Sequence, residues 1–422
     1  MESHHVDDLE VIFDCAGRND WGKFSFPVWY GIPVKIKWRS YTFDFNLQGR
    51  LKRITGSPSV WPDPTEMLKR TESDDFVYYG TDGYELSYDL LKNYYLPYSG
   101  KYESALSDAR PLESAHVAQA LSTFDCLCER AGRLASAAGD RRLKKFLATV
   151  AAMDRKMLAQ EAGKLHSIIG GSLPVLPPDI IDVDYEVIPL MVTEGCDYQC
   201  RFCCFKTADG LKARSRSNIA RQVKALRDLY GEDLVNYNSL VLGQNDALGA
   251  GEELLRETAE TAYAGLRLGE SCHGGAPNLF LFGSVGSFMS ARESCFDILN
   301  ALPFSTRINI GLESPDQATL DILGKPLKAV AVTEAFRKAQ AVNRRWPNID
   351  VTVNFVLGTD LPLRHLKAVR DLIADAAPCR DKGAVYLSPL IGAATRRQVL
   401  EDFRKLKRAS ALPVYLYLVQ SL

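Results

Sequence analysis

From about residue 184 the chain repeats one grammar, strand then loop then helix, and that alternation admits few folds. Six short apolar runs recur: Val187–Val192, Ser239–Leu242, Leu279–Phe282, Ile308–Gly311, Val351–Leu357 and Val385–Leu387. Between them lie helical stretches: Ser217–Tyr230, with Ser217 as expected N-cap and Ile219, Val223 and Leu226 on one face, then Glu252–Leu266, Leu327–Val342 and Leu363–Ala376. Alternating β and α units imply a parallel sheet with helices packed outside. Six such units are too few to close an eight-stranded barrel. The expected fold class is therefore α/β, a partial (β/α)6 TIM-like barrel; a flat doubly wound sheet would carry the same pattern. In either fold, ligands sit at the C-terminal ends of the strands.

The preceding part reads differently. Residues 9–55 carry period-two alternation, as in Val34-Lys35-Ile36-Lys37-Trp38 and Tyr41-Thr42-Phe43-Asp44-Phe45, with Gln48-Gly49 as a turn. Residues 112–168 turn helical, with Leu143, Leu147, Val150, Met153 and Met157 at helical spacing. Gly170-Gly171-Ser172-Leu173-Pro174 and Pro177-Pro178 then break the pattern. We place a boundary there: an N-terminal α+β domain over 1–180 and a barrel over 181–422. The N-terminal domain could gate the open side of the barrel, bind a partner or recognise substrate.

The four cysteines between Cys196 and Cys204 demand a chemical reason. The other six (Cys15, Cys126, Cys128, Cys272, Cys295, Cys379) are scattered and read as small buried apolar residues. Met1-Glu2-Ser3-His4-His5 has neither the basic start nor the apolar core of a secretion signal, and no apolar run approaches a membrane span, so we expect a cytoplasmic protein without a disulfide framework. A formal net charge of −1 gives no general pull toward nucleic acid or anionic membrane.

The cluster reads Thr193-Glu194-Gly195-Cys196-Asp197-Tyr198-Gln199-Cys200-Arg201-Phe202-Cys203-Cys204-Phe205, directly after the first strand of the barrel. Three thiolates, Cys196, Cys200 and Cys203, can grip three corners of an iron–sulfur cubane and leave the fourth iron open. A structural zinc or ferredoxin-like site is the competing reading. Zinc sites usually bring paired ligands, and the nearest histidines, His166 and His273, stand far outside the loop.

Cys-x3-Cys-x2-Cys after the first barrel strand, with an aromatic before the last cysteine, resembles the signature of the radical S-adenosylmethionine (SAM) superfamily. The resemblance implies two cofactors, a 4Fe-4S cluster and SAM. The SAM amino and carboxylate groups would chelate the fourth iron, and an electron from the reduced cluster would break the S–C5′ bond. The products are methionine and a 5′-deoxyadenosyl radical that takes hydrogen from substrate. Phe202 would pack beside the adenine.

The likeness runs over most of residues 185–390. Where the family has a Gly-Gly-Glu-like turn for the SAM amino group, this chain has Gly243-Gln244-Asn245-Asp246, which keeps the glycine and leaves Asp246 or a nearby carbonyl to accept from the ammonium. Ile310-Gly311-Leu312-Glu313-Ser314-Pro315, running on to Leu323-Gly324-Lys325, is similar to the fourth-strand segment of the branch containing methylthiotransferases, coproporphyrinogen oxidases and cobalamin-linked enzymes. It implies Glu313 and Ser314 near the SAM ribose or methionine. Ser314 also reads as the N-cap of a capping box with Pro315 at N1 and Gln317 at N3, whereas Glu313 has no evident structural duty. On the fifth strand Gly358 carries over, while Asn354 replaces the family's first glycine; on the sixth, Ser388 lies where backbone would meet adenine.

Lys206, Lys212, Arg214, Arg216 and Arg221 follow the loop, as a solvated surface or as a dock for an acidic electron donor such as flavodoxin or ferredoxin. No cysteine follows the sixth strand, and no Asp-x-His-x-x-Gly string of a cobalamin domain occurs. The expected function is thus SAM cleavage for hydrogen abstraction from a small molecule or biosynthetic intermediate. Modification of a peptide, protein or RNA stands beside it, as does, from another class, an iron–sulfur or zinc protein without SAM chemistry. Sequence leaves the substrate unnamed.

Overall fold

The computed structural model describes residues 2–13, 31–81, 84–203, 210–243, 245–377, 379, 382–390, 395–419 and 422. Eight antiparallel strands in sequential order form the N-terminal sheet, from Glu2–Val6 to Leu96–Ser99. The strand region therefore reaches well beyond residue 55. Met67–Arg70 is buried throughout and Phe76–Gly80 nearly so, and both therefore lack the alternation that marks a one-sided strand.

In the alternating strands the register puts like with like: Val34 faces Phe45, Ile36 faces Phe43 and Trp38 faces Tyr41. That apolar face meets three helices, Ala115–Ala135, Arg141–Ala152 and Arg155–Ile169. Phe124 lies 6.1 Å from Phe43 and 6.3 Å from Phe45 between ring centroids, and Phe146 lies 5.8 Å from Phe45. Each such buried ring contributes roughly 2–3 kcal/mol of transfer free energy. Asp140 and Asp154 cap the second and third helices, and Gly170, at φ +74°, ends the third.

The C-terminal domain is the partial barrel. Its strands are Ile188–Leu190, Ser239–Leu242, Asn278–Gly283, Ser305–Glu313, Ile349–Leu357, Val385–Pro389 and Val414–Leu416, all parallel and in chain order. There are seven strands where the apolar runs suggested six. The last is three residues long and follows Pro413, too little for periodicity to register. The first and seventh strands are the edges of this sheet, so the barrel has a lengthwise seam.

Within the barrel, Asn309 and Asn354 exchange side-chain amide bonds at 2.7 and 3.1 Å, and Asn309 also donates to Thr352 Oγ1 at 2.9 Å. Below them Asp179 accepts from Thr352 Oγ1 at 2.7 Å and from the Tyr386 hydroxyl at 2.9 Å. Asn354, the residue that replaces the family's glycine, is thus spent on an internal polar ladder. The helix after the cysteine loop is Arg216–Tyr230, and its N-cap is Ser215, which accepts from Asn218 N. The expected cap Ser217 sits inside the first turn instead.

Buried charges join the two domains. Lys52, on the fifth strand of the N-terminal sheet, pairs with Glu72 and with Glu186 at 3.1 Å, and Lys69 reaches Glu186 at 3.2 Å. Tyr237 donates to Glu72 at 3.0 Å, and Asp233 accepts from Leu47 N at 3.1 Å and from Tyr185 Oη at 3.1 Å. One apolar core runs through both domains. Among the described residues no helix is long and apolar enough to cross a membrane.

Candidate functional site

Because the barrel strands are parallel, their C-terminal ends share one rim, and the segments singled out by sequence lie along it. Thr193–Glu194 pairs antiparallel with Lys212–Ala213 and closes the neck of the cysteine loop. Arg214 N donates to Val192 O and Leu211 N to Asp197 Oδ1, both at 2.8 Å. Cys200 is buried, Cys196 and Cys203 are half-buried, and none of the three is in a disulfide. Burial pushes the Cys200 thiol up to about 11 and raises Cys196 as well, each also feeling the other cysteines of the loop. A cation at that spot would reverse this, since coordination deprotonates a thiol.

Among the described residues no group of three His, Cys, Asp or Glu side chains is gathered tightly enough to hold one metal ion. Cys204, Gln244 and Lys206 lie outside the described residues. Phe202 is 42% exposed, an apolar ring without cover beside the half-buried Cys203. Arg201 anchors the loop's middle: its N–H donates to Leu323 O at 2.8 Å and its guanidinium to Ile322 O at 3.2 Å. These are orphan carbonyls at the end of helix Gln317–Leu323, which Gly324 terminates at φ +66°.

The second-strand turn sits against this loop. Gly243 has φ +71°, and a Cβ there would come within 3.2 Å of Thr193 Oγ1. Asn245 Nδ2 donates to Gly195 O at 3.1 Å, tying turn to loop. Asp246 is buried, and its Oδ1 accepts from Gly249 N at 3.1 Å and from Ser287 Oγ at 2.6 Å. Ser287 belongs to a helix, Val285–Ser290, capped by Ser284 after the third strand. That third-strand contribution escaped the sequence reading, although Ser-x-x-Ser after an apolar run is a capping signal. The same helix's Gly286 N donates to the Tyr198 hydroxyl at 3.1 Å.

The fourth strand corrects two expectations. Glu313 does have a structural partner: Lys325 Nζ bonds Glu313 Oε1 at 2.8 Å and Gly311 O at 2.6 Å, with both side chains buried. Glu313 also adopts φ +61°, where the strand's register slips between Gly311 and Glu313. A non-glycine residue in that region is strained by about 1–3 kcal/mol and must be held by its surroundings. Gly311 is required beside it, because a Cβ there would meet Glu313 Oε1 at 2.5 Å. The Lys325 ammonium stands 5.8 Å from the Tyr198 ring centre, which brings the fourth strand's pair to the cysteine loop.

Ser314 is fully buried and is not the helix cap. Asp316 caps that helix, accepting from Thr319 N, while Ser314 Oγ accepts from Asp316 N at 3.0 Å and meets His365 Nδ1 at 2.8 Å. His365 Nε2 donates to Val356 O at 2.8 Å, and burial lowers this imidazole's pKa. The neutral ring with its proton on Nε2 therefore takes the Ser314 hydroxyl proton as acceptor. Gly358 directly follows the fifth strand and Ser388 lies near the end of the sixth, half-buried.

Residues 190–373 match the family model described as Radical SAM superfamily. That span, and not the whole chain, is what is similar to the superfamily. The matched span holds the cysteine loop, the Gly243 turn, Glu313 and Gly358, while Ser388 lies beyond it. Among solved structures, a radical SAM methyltransferase from Sphaerobacter thermophilus is similar at 18% identity over 55% of this chain and 65% of its own, with a TM-score of 0.38. The cobalamin-dependent SAM radical enzyme OxsB, with aqua-cobalamin bound, is similar at 17% identity over 53% of this chain and 31% of its own (TM-score 0.35). Methylornithine synthase is similar at 11% identity over 71% of this chain and 81% of its own (TM-score 0.34). The chain spans less than two thirds of the first two of those structures. No curated protein matches it in sequence.

Proposed function

We propose that Cys196, Cys200 and Cys203 hold a 4Fe-4S cluster and that the rim around them binds SAM. The donor set fits: three cysteines outside any disulfide on one loop at a barrel strand's C-terminal end. Such a cluster, when bound, supplies the electron that splits SAM into methionine and a 5′-deoxyadenosyl radical, which takes hydrogen from substrate.

The chain's own residues would do the rest. The exposed ring of Phe202 would cover the adenine, with backbone near Ser388 and Gly358 beside it. The Gly243–Asp246 turn, Gln244 included, would receive the SAM ammonium. Asp246 Oδ1 already accepts two bonds, so Oδ2 is the atom left for that purpose. Lys325 fixes the Glu313 carboxylate, so Glu313 would present a preset acceptor rather than a mobile one. Ser314 would act one step back, because its hydroxyl is given to His365. The reductant would be an acidic donor such as flavodoxin or ferredoxin. Arg214 and Arg216 on the adjoining surface are engaged by Glu194 and Glu257.

The observation that carries this reading is the family match enclosing three thiols of Cys-x3-Cys-x2-Cys spacing. Anaerobic reconstitution tests it. About four irons per chain should bind, and methionine and 5′-deoxyadenosine should appear from SAM only after reduction. Bound zinc without visible absorbance, or SAM left intact, would overturn it.

A further inference from the structure

The barrel's seam is not open to solvent along its whole length. The N-terminal sheet covers it and leaves a chamber of about 490 Å³ beneath. Tyr185 and Val187, on the approach to the first strand, and Tyr417, after the seventh, form the barrel side of this chamber; Tyr79 and Tyr102 form the N-terminal side. It reaches the C-terminal rim at Thr359 and Pro389, the chain neighbours of Gly358 and Ser388. Inside the barrel the Asn309–Asn354 pair and the Asp179–Thr352 bond link side chains across the interior instead.

The lining also selects a chemistry. Tyr185 gives its hydroxyl to Asp233, Tyr102 to Pro174 O and Tyr417 to Leu176 O. Those three rings therefore offer a ligand carbon surface rather than hydrogen bonds. The buried charges on the inner wall, Lys69 and Glu186, neutralise each other, and the Lys52–Glu72 pair behind them is balanced too. At the outer edge Arg396 is outnumbered by Glu103 and Asp108. An anion entering here would shed water and find no surplus cation.

We infer that this chamber is the substrate site, and that the substrate is an uncharged small molecule with an aromatic or alicyclic body. The assignment of a substrate, though not of a ligand, rests on the radical SAM reading.

Two measurements separate the parts. The full chain is titrated with Nile red, a neutral dye, and with 8-anilinonaphthalene-1-sulfonate, an anionic one, followed by fluorescence. Nile red should bind one per chain at least tenfold more tightly than the sulfonate. Ser99→Trp and Ala105→Trp, which fill the chamber from the N-terminal side, should weaken Nile red at least tenfold with unchanged circular dichroism. Two folded Trp variants that bind Nile red as wild type does, or a preference for the sulfonate, overturn the chamber and its chemistry.

In the second measurement, reconstituted wild type reduced with dithionite receives SAM and perdeuterated 4-methylphenol. One deuterium should pass from the probe's methyl to C5′ of 5′-deoxyadenosine, leaving a benzylic radical for the excess reductant. The deuterated fraction should fall in Ser99→Trp. Unlabelled 5′-deoxyadenosine from wild type overturns the substrate assignment. If wild type releases no 5′-deoxyadenosine at all, the radical reading fails while the dye result stands on its own.

Discussion

At the scale of single residues the rim depends on a few side chains whose neighbours leave them no freedom. Cys203→Ser should abolish iron binding, whereas Cys204→Ser should retain iron and SAM cleavage, because adjacent side chains in a tight loop cannot readily grip one cubane. Loss of iron in Cys204→Ser with retention in Cys203→Ser would reverse that assignment. Lys325→Met strands the buried Glu313 carboxylate, so urea unfolding should show a loss of about 3–5 kcal/mol. Asp179 gives a pH signature. Burial first, and then the neighbouring Asp350, hold its carboxyl up at about 6 against an ordinary 3.8. Its contribution to stability is therefore complete below the unfolded value and lost as pH rises through about 6, an effect of at most ~3 kcal/mol. Asp179→Asn should flatten that slope, read by urea midpoints at pH 4.5 and 7.5; equal slopes would mean that other groups set it.

Elements act by docking their ends. The carbonyls at the end of helix Gln317–Leu323 hold Arg201, and through it the middle of the cysteine loop. Arg201→Ala removes the guanidinium bond but no thiol. It should lower the iron retained after chelator challenge several-fold while the midpoint of unfolding shifts little; unchanged retention would show that the backbone bond alone suffices. The capping residue of this helix illustrates what sequence does not decide. Ser314 and Asp316 both suit an N-cap, and Pro315 suits a first turn. His365, some fifty positions away in the chain, claims the Ser314 hydroxyl and leaves the cap to Asp316. Ser215 and Ser217 pose a similar ambiguity two residues apart, and there the earlier hydroxyl takes the cap although the sequence pattern favoured the later one.

For the whole molecule the question is how the two domains depend on each other. The shared apolar core and the buried Lys52, Glu72, Glu186 and Asp233 cluster both link the N-terminal sheet to the barrel. A chain beginning at Asp182 would expose that core and strand Glu186 without its lysines. It should aggregate or melt far below the full chain instead of behaving as a free barrel, and a soluble, cooperatively folded fragment would contradict this. Lys52→Met in the full chain should cost about 3–5 kcal/mol by leaving two buried carboxylates short of a cation.

Sequence alone determined the layered plan, because periodicity and turn residues are local properties. The alternating strands near Val34–Phe45, the strand-helix repeats and the cysteine loop after the first barrel strand are all legible there. The family resemblance likewise marked Gly243 and Gly358 at the ends of barrel strands. What it missed depends on partners far away in the chain. Met67–Arg70 and Val414–Leu416 are strands only because both faces or one edge are covered by distant segments. Cys126, expected to be buried, is exposed, since a cysteine at one helical position carries no record of which face the fold turns inward. Glu313 looked idle until the fold brought Lys325 to it, and Asn354 looked like a lost glycine until Asn309 met it from the neighbouring strand. The seam chamber is the clearest case, for its walls come from stretches on either side of the whole barrel, and only closing the sheet brings them together.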